Sequence, residues 1–197
     1  NPHNPDGVDT EYLWLDVLTM DSILQLVESF IFYEVDKSNS KKKTLIFPRY
    51  HQRRAVSRLL EDMKTNHTDN NYLIQHSAGS GKTNTIAWLA HSLVSLHDDQ
   101  NRNIVDTVLV VTDRIVVDRQ LQDAIRSIEH QPGVIKVMDD KATSSDLADA
   151  LAGNTKIVAT TIHKFAQINK SNWMSAGVTA EKKFAILIDE AHSSTTG

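Results

Sequence analysis

The stretch "QHSAGSGKTN", residues 75–84, decides how this 197-residue sequence can fold. It places two of the chain's seven glycines directly before Lys82 and Thr83. An apolar run, residues 72–74, precedes it, and apolar residues at helical spacing follow it. A strand that enters a glycine-containing loop and then a helix lets backbone amides converge at the start of the helix. The local order therefore predicts a strand, an anion-binding loop and a helix.

A phosphate-bearing nucleotide fits such a loop. The helix N-terminus carries partial positive charge, Lys82 can reach β- and γ-phosphates, and the Thr83 hydroxyl can bind Mg²⁺. His76 stands where the general P-loop pattern has its first glycine, so the match is to the GxGKT core only. An ordinary glycine turn without a ligand is the alternative. The predicted nucleotide contacts are Ala78, Gly79, Ser80, Gly81, Lys82 and Thr83.

A second motif, "ILIDEAH", residues 186–192, ends an apolar strand with two adjacent carboxylates. Such carboxylates are costly to bury unless a cation or metal pairs with them. We predict that Asp189 holds Mg²⁺ together with Thr83. Glu190 is predicted to position and activate the water that attacks the γ-phosphate, with Lys82 as the third catalytic residue. The alternative is a plain strand that ends in a helix cap.

The rest of the chain alternates short apolar runs with helical patterns. Strands that are apolar at successive positions and alternate with helices favour a parallel sheet covered on both faces, hence an α/β fold. Upstream, the segment 21–34 has the apolar spacing of an amphipathic helix, and so does the region around Val56 and Met63. The predicted strands are residues 72–75, 107–112, 134–137, 156–161 and 184–189, and the predicted helices include residues 82–96 and 115–128, one after Ser145 and one through Phe165.

Composition narrows the class of protein. The formal charge of −4 gives the chain no overall basic signature of nucleic-acid binding, so any such binding must be local. There are no cysteines, which suits a reducing compartment, and no apolar run reaches the roughly 20 residues of a membrane helix. We therefore expect a cytosolic protein without membrane contact. The chain begins with Asn1, and we expect it to be a segment of a longer polypeptide.

The motifs together carry a resemblance to a known family. "HSAGSGKT" with "DEAH" resembles motifs I and II of superfamily 2 helicases and translocases. "RYHQRRAV", "VVTDRIVVDRQLQDAI", "ATTIHKF" and "YLWLDVLTMDSILQLVESFIFYE" are similar to the motor (R) subunit of type I restriction endonucleases. The resemblance implies a RecA-like P-loop NTPase lobe over residues 45–197, with a parallel sheet flanked by helices. Residues 1–44 would be a helical connector from an upstream nuclease domain.

The resemblance also implies a function. The lobe would bind ATP and Mg²⁺ in an ATP-dependent translocase that moves double-stranded DNA before a separate nuclease domain cleaves it. Its partners would be the methyltransferase and specificity subunits, in the cytoplasm of a bacterium or archaeon. A second motor lobe, outside these residues, would supply the arginine that completes the site. The alternative is another superfamily 2 helicase or P-loop NTPase that does not act in restriction.

Further roles follow from the resemblance, position by position. Gln52 matches a glutamine that bonds the adenine edge, with an exposed helical glutamine as the alternative. Two groups at the ends of strands match motifs that lie against the DNA backbone. Caps for the helices that follow those strands are the structural alternative. The predicted DNA contacts are Thr112, Asp113 and Arg114 in the first group, and Thr160, Thr161 and His163 in the second.

The nuclease itself is not expected in this chain. A nuclease of the related kind needs a Pro-Asp followed at modest distance by Glu-x-Lys. The formal candidates, Pro5 with Asp6 and Glu181 with Lys183, lie at opposite ends of the sequence with the glycine loop between them.

Overall fold

The computed structural model describes residues 6–35, 42–66, 71–113, 119–128, 133–139, 141–168 and 182–190. The chain divides into two compact units, Asn1–Arg49 and Tyr50–Gly197. The division between the units falls a few residues after position 44, which the resemblance predicts as the end of the connector.

The smaller unit combines short helical segments with a two-stranded ladder. A π-helical segment, Leu13–Val17, precedes helix α1, Met20–Gln25, which continues as a second π-helical segment, Leu26–Phe30. Strand β1, Phe32–Val35, then pairs antiparallel with β2, Lys43–Ile46. The prediction of a helix over residues 21–34 is thus wrong for its last turn. Aromatic and β-branched residues favour extended backbone there, and the second strand supplies the hydrogen-bonding partner.

The larger unit contains a four-stranded parallel sheet within its described residues. Its strands are β3, Thr107–Thr112, β4, Ile135–Val137, β5, Ile157–Thr161, and β6, Phe184–Asp189, in the order β4-β5-β3-β6. All six residues of β3 are buried, as expected for a continuous apolar strand covered on both faces. The parallel α/β architecture predicted from the sequence is confirmed.

Five helices accompany this sheet in the described part of the larger unit: α2, Tyr50–Asn66, α3, Lys82–Val94, α4, Arg119–Ser127, α5, Ser144–Ala152, and α6, Ile162–Ala166. Helix α5 begins with a capping box in which Thr143 and Asp146 exchange hydrogen bonds. Its apolar face packs on Leu109, Val111 and Val158 of the sheet through Leu147, Leu151 and neighbouring residues. The helix predicted from residue 115 is described only from Arg119.

The strand predicted at residues 72–75 is absent. Residues 71–77 have no regular structure, and Leu73 is 87% exposed. Strand β6 pairs with β3, and residues 72–75 pair with no strand in the described structure. The Tyr72 hydroxyl instead donates to the Asp62 carboxylate on α2. The expectation that the glycine loop follows directly from a strand is therefore wrong in this structure.

The described residues contain no candidate for a membrane-spanning helix. None of their helices is both long and apolar enough to span a bilayer.

The packing of α5 on the sheet provides a test of the fold. Leu151 is 0% exposed, so Leu151→Ala should leave a cavity and lower the free energy of unfolding by about 2–5 kcal/mol. Urea denaturation followed by circular dichroism measures this change. Leu73→Ala is the matched control, because the exposed side chain should cost less than about 0.5 kcal/mol. Equal losses in the two variants would contradict the described core.

Candidate functional site

The glycine loop is a tight turn that leads into α3. The Ser80 amide donates to the Ser77 carbonyl at 3.2 Å, and Gly81 is the N-cap of the helix. Gly79 has φ +72° and Gly81 has φ +85°, conformations in which an L side chain is strained. The two glycines therefore allow the turn, and the turn places Lys82 at the first position of the helix.

Gly81 is needed for a second reason. A Cβ atom at this position would lie 2.5 Å from Nε2 of Gln52. Non-bonded atoms do not approach so closely, so a residue with a Cβ atom at this position would displace the Gln52 side chain. The glycine thus permits close approach of α2 to the loop as well as the turn itself.

Gln52 lies against the loop and is only 3% exposed. Its Nε2 donates to the Ser80 carbonyl at 3.3 Å and to the Gly81 carbonyl at 2.9 Å. The alternative of an exposed helical glutamine is therefore wrong. In this structure the amide nitrogen faces the loop backbone, and the predicted contact with adenine stays a prediction.

The parallel register aligns the carboxyl ends of three strands. Thr112 of β3 lies opposite Thr161 of β5 and opposite Asp189 of β6. Glu190 follows immediately, and its Oε1 lies 2.8 Å from Nζ of Lys82. The fold therefore joins the two predicted catalytic motifs, whose residues are 108 positions apart.

Lys82 and Glu190 form an ion pair at a partly open site. The hydrogen bond to Glu190 raises the pKa of Lys82, burial opposes that rise, and the Glu190 and Asp189 charges add to it. The two side chains are 38% and 32% exposed, so solvent screens the pair and its contribution to folding stability is small. Glu190 also has φ +57°, an uncommon backbone conformation for a residue other than glycine. Backbone strain of this kind is concentrated at functional sites.

The loop side of the site suits an anion. The first turn of an α-helix leaves amide donors without intrahelical partners, and its dipole favours negative charge. No atom lies within 4 Å of a Cβ position built at Gly79, so there is open space beside the turn. Lys82, at this helix start, adds a full positive charge, and Thr83 follows it. These features fit a phosphate chain.

A protein-only metal centre is not formed by the described residues. Among them, no group of three or more histidine or acidic side chains could hold a cation. Mg²⁺ typically keeps several waters and binds through one or two carboxylates plus substrate phosphates. Asp189 and Thr83 stay the predicted protein ligands, and phosphate oxygens and water would be the others.

An open cavity of about 790 Å³ lies beside the loop. Helix α2 contributes Tyr50, His51 and Arg54 to its wall, and the segment before the loop contributes Tyr72 and His76. Ser80 of the loop also borders it. Its volume falls in the range of small-molecule sites, and aromatic and arginine side chains can stack on a planar ring.

The predicted DNA contacts are mostly buried. The side chains of Thr112, Thr160 and Thr161 are at most 1% exposed. Thr161 Oγ1 accepts a hydrogen bond from the Lys164 amide at 3.4 Å and so caps α6, which is the structural role left open by the sequence. Thr160 Oγ1 is buried and has no hydrogen-bond partner among the residues that the structure describes. Asp113 is partly exposed, His163 is exposed, and Arg114 lies outside the described residues.

His51 is a site residue that the sequence did not reveal. Its Nε2 lies 3.2 Å from the Ser80 carbonyl oxygen, and its ring meets the edge of His76 with centroids 5.3 Å apart. Burial, then the nearby His51 and Lys82, lower the pKa of His76. The only sequence signal was its position beside Gln52 at the start of α2.

The two loop glycines yield a graded test. Gly79→Ala should destabilise the chain by about 1–2 kcal/mol, because it adds only the strain of positive φ. Gly81→Ala adds the same strain and also displaces Gln52, whose lost hydrogen bonds cost roughly 1 kcal/mol each. Urea unfolding of both variants measures the difference. Equal destabilisation would show that Gln52 does not approach Gly81 in solution.

Comparisons with known proteins identify the family of the chain. The sequence profile of the SWI2/SNF2 ATPase family matches residues 51–197. A protein of Methanocaldococcus jannaschii, provisionally named type I restriction enzyme MjaVIIIP endonuclease subunit, is 26% identical over 207 residues, 95% of this chain and 19% of the relative. The type I restriction enzyme SauCOLORF180P endonuclease subunit of Staphylococcus aureus (strain COL) is 24% identical over 220 residues, 98% of this chain and 22% of the relative.

The chain thus spans about a fifth of the length of these two relatives, 19% and 22%. No solved structure matches it. The family profile covers most of the larger unit and includes both the glycine loop and the Asp189–Glu190 pair. The chain belongs to the SWI2/SNF2 ATPase family.

Proposed function

We propose that this chain is the ATP-binding lobe of an ATP-driven double-stranded DNA translocase, within the R subunit of a type I restriction enzyme. The observation that carries the proposal is the 2.8 Å contact between Lys82 Nζ at the start of α3 and Glu190 Oε1 after β6. It brings a phosphate-binding cation and a water-activating carboxylate to one place. The names of the relatives supply the restriction context.

The chain's own residues have separate roles in ATP hydrolysis. The amides at the start of α3 and the Lys82 ammonium bind the phosphates, and the glycines keep side chains out of their way. Glu190 orients the attacking water toward the γ-phosphate. Mg²⁺, when bound through Asp189 and Thr83, would neutralise charge that develops on the phosphate oxygens.

Contact with DNA would be independent of base sequence. Main-chain amides after the carboxyl ends of β3 and β5 would bond phosphates, which positions a motor without reading bases, since Thr112, Thr160 and Thr161 are buried. Asp113 and His163 are the described members of this set that reach solvent. Methyltransferase and specificity subunits would be the protein partners, in the cytoplasm of a bacterium or archaeon.

A second candidate is an ATPase of the same family that acts outside restriction. The match to the SWI2/SNF2 family favours it, because that match concerns the ATPase region alone. The two candidates share the nucleotide chemistry and differ in partners. Co-purification of the full-length subunit with a methyltransferase and a specificity subunit would favour restriction, and its absence would favour the second candidate.

Substitutions at the ion pair should separate binding from hydrolysis. In the full-length subunit, Lys82→Ala should weaken Mg·ATP binding at least about tenfold, because a charge-assisted contact to phosphate is lost. Glu190→Gln should preserve binding but abolish DNA-stimulated hydrolysis. Calorimetric titration and a phosphate-release assay measure the two effects.

The exposed Lys136 on β4 provides the control, since Lys136→Ala removes the same charge away from the loop. It should leave binding and hydrolysis unchanged. Wild-type hydrolysis in the Glu190→Gln variant would remove Glu190 from the proposed role.

The 197-residue chain by itself should bind Mg·ATP weakly and hydrolyse it hardly above background. An arginine that reaches the γ-phosphate is worth about 10³ to 10⁵ in rate, and the resemblance assigns it to a second lobe. Duplex DNA should add little, because the chain is net acidic and would carry only part of the DNA track. Turnover of the purified chain, measured with and without DNA, tests this, and brisk DNA-stimulated hydrolysis would contradict it.

A further inference from the structure

The first turn of α2 presses two consecutive side chains against the carbonyl groups of the glycine loop. His51 Nε2 lies 3.2 Å from the Ser80 oxygen. Because a carbonyl oxygen can only accept, this ring nitrogen carries the proton and donates it. Gln52 Nε2 donates to the same oxygen and to the Gly81 oxygen. The Ser80 carbonyl is therefore held by two donors from one helix.

These contacts fix the direction of the loop's amides. A trans peptide is planar, so the C=O of one residue and the N–H of the next point in opposite directions. There are no cis peptide bonds in the described chain. Holding the Ser80 carbonyl toward α2 turns the Gly81 amide away from α2. Holding the Gly81 carbonyl does the same for the Lys82 amide. Both amides then point toward the side of the loop that α2 leaves open.

His76 supports the His51 ring. The two rings meet edge to face, with centroids 5.3 Å apart and an interplanar angle of 77°. Nδ1 of His76 is buried and, within the described part of the chain, has no hydrogen-bond partner, so that nitrogen forms no directional bond there. Burial is the main reason that the pKa of His76 is lowered, and the nearby His51 and Lys82 lower it further, so the charged form of the ring is disfavoured. Its contact with His51 is therefore one of packing.

We propose that His51 is a positioning residue for phosphate binding. It acts through the Ser80 carbonyl, with the His76 ring as its support, and it presets the Gly81 amide for an incoming phosphate. The effect on ATP binding rests on the proposed function. The order of the loop does not, because it exists before any nucleotide binds.

The test compares His51→Phe with His51→Gln in the 197-residue chain. Phenylalanine keeps a ring against His76 and loses the donor, whereas glutamine keeps an N–H donor of similar reach. Hydrogen–deuterium exchange of residues 77–83, without nucleotide, should be faster in His51→Phe and near the wild-type rate in His51→Gln. Calorimetric titration with Mg·ATP should give about fivefold weaker binding for His51→Phe, the loss expected for one hydrogen bond.

His97→Phe is the matched control. That exposed histidine also bonds a backbone carbonyl, Ser95, through a ring nitrogen at 2.8 Å, but away from the glycine loop. Exchange at residues 77–83 should not change in this variant. His76→Phe keeps a ring against His51, so exchange at residues 77–83 should stay close to the wild-type rate.

The outcomes separate the two proposals. Unchanged exchange at residues 77–83 in His51→Phe would overturn the positioning role, whether or not ATP binds. Faster exchange throughout the chain would overturn it too, since His51 would then support the whole unit rather than the loop. A third outcome is faster exchange only at residues 77–83 in His51→Phe, in a chain whose wild type binds no Mg·ATP. It would support the role of His51 in ordering the loop and would count against the nucleotide-binding function.

Discussion

The register of β3 is the constraint on which the site depends. This strand lies between β5 and β6, and all six of its residues are buried. A shift of the pairing by one residue would turn the side chains of a neighbouring strand to the opposite face of the sheet. It would also move the end of that strand by about 3.3 Å. The Lys82–Glu190 contact is 2.8 Å long, so such a shift would break it. Packing of apolar side chains in the sheet thus helps to set the distance between the Lys82 and Glu190 side chains.

The sequence predicted the features that depend on local pattern. The continuous apolar runs of β3 and β5 required burial on both faces, and all their residues are buried. For β6 this expectation is wrong, because β6 is an edge strand of the described sheet and Ile186 and Ile188 are more than half exposed. The alternation of apolar runs with helical spacing required parallel connections. The glycines before Lys82 required a turn with positive φ, which both Gly79 and Gly81 adopt. The approach of Glu190 to Lys82 did not follow from strand ends, because residues 72–75 form no strand and Lys82 is placed by α3 instead.

Other features depend on how separate elements meet, and no local pattern encodes that. Residues 72–75 are apolar enough for a strand but pair with none in the described structure, and Tyr72 is tied to α2 instead. The donors of His51 and Gln52 reach carbonyls 28 or 29 positions away, which depends on the angle between α2 and the loop. The resemblance predicted that Gln52 contacts adenine, and that contact stays a prediction. The orientation of α2, which brings Gln52 to the loop, could not be derived from the motif.

The ion pair links binding to chemistry on the proposed mechanism. Lys82 is bonded to Glu190 in this structure, and a phosphate chain would compete for the same ammonium. Once Lys82 turned to phosphate, Glu190 would lose the cation that lies 2.8 Å from it in this structure. Joint binding of nucleotide and Mg²⁺ restores the balance of charge. Glu190 would then be released to orient water only when the phosphate is already in place, so the contact with Lys82 would withhold the carboxylate until it could act.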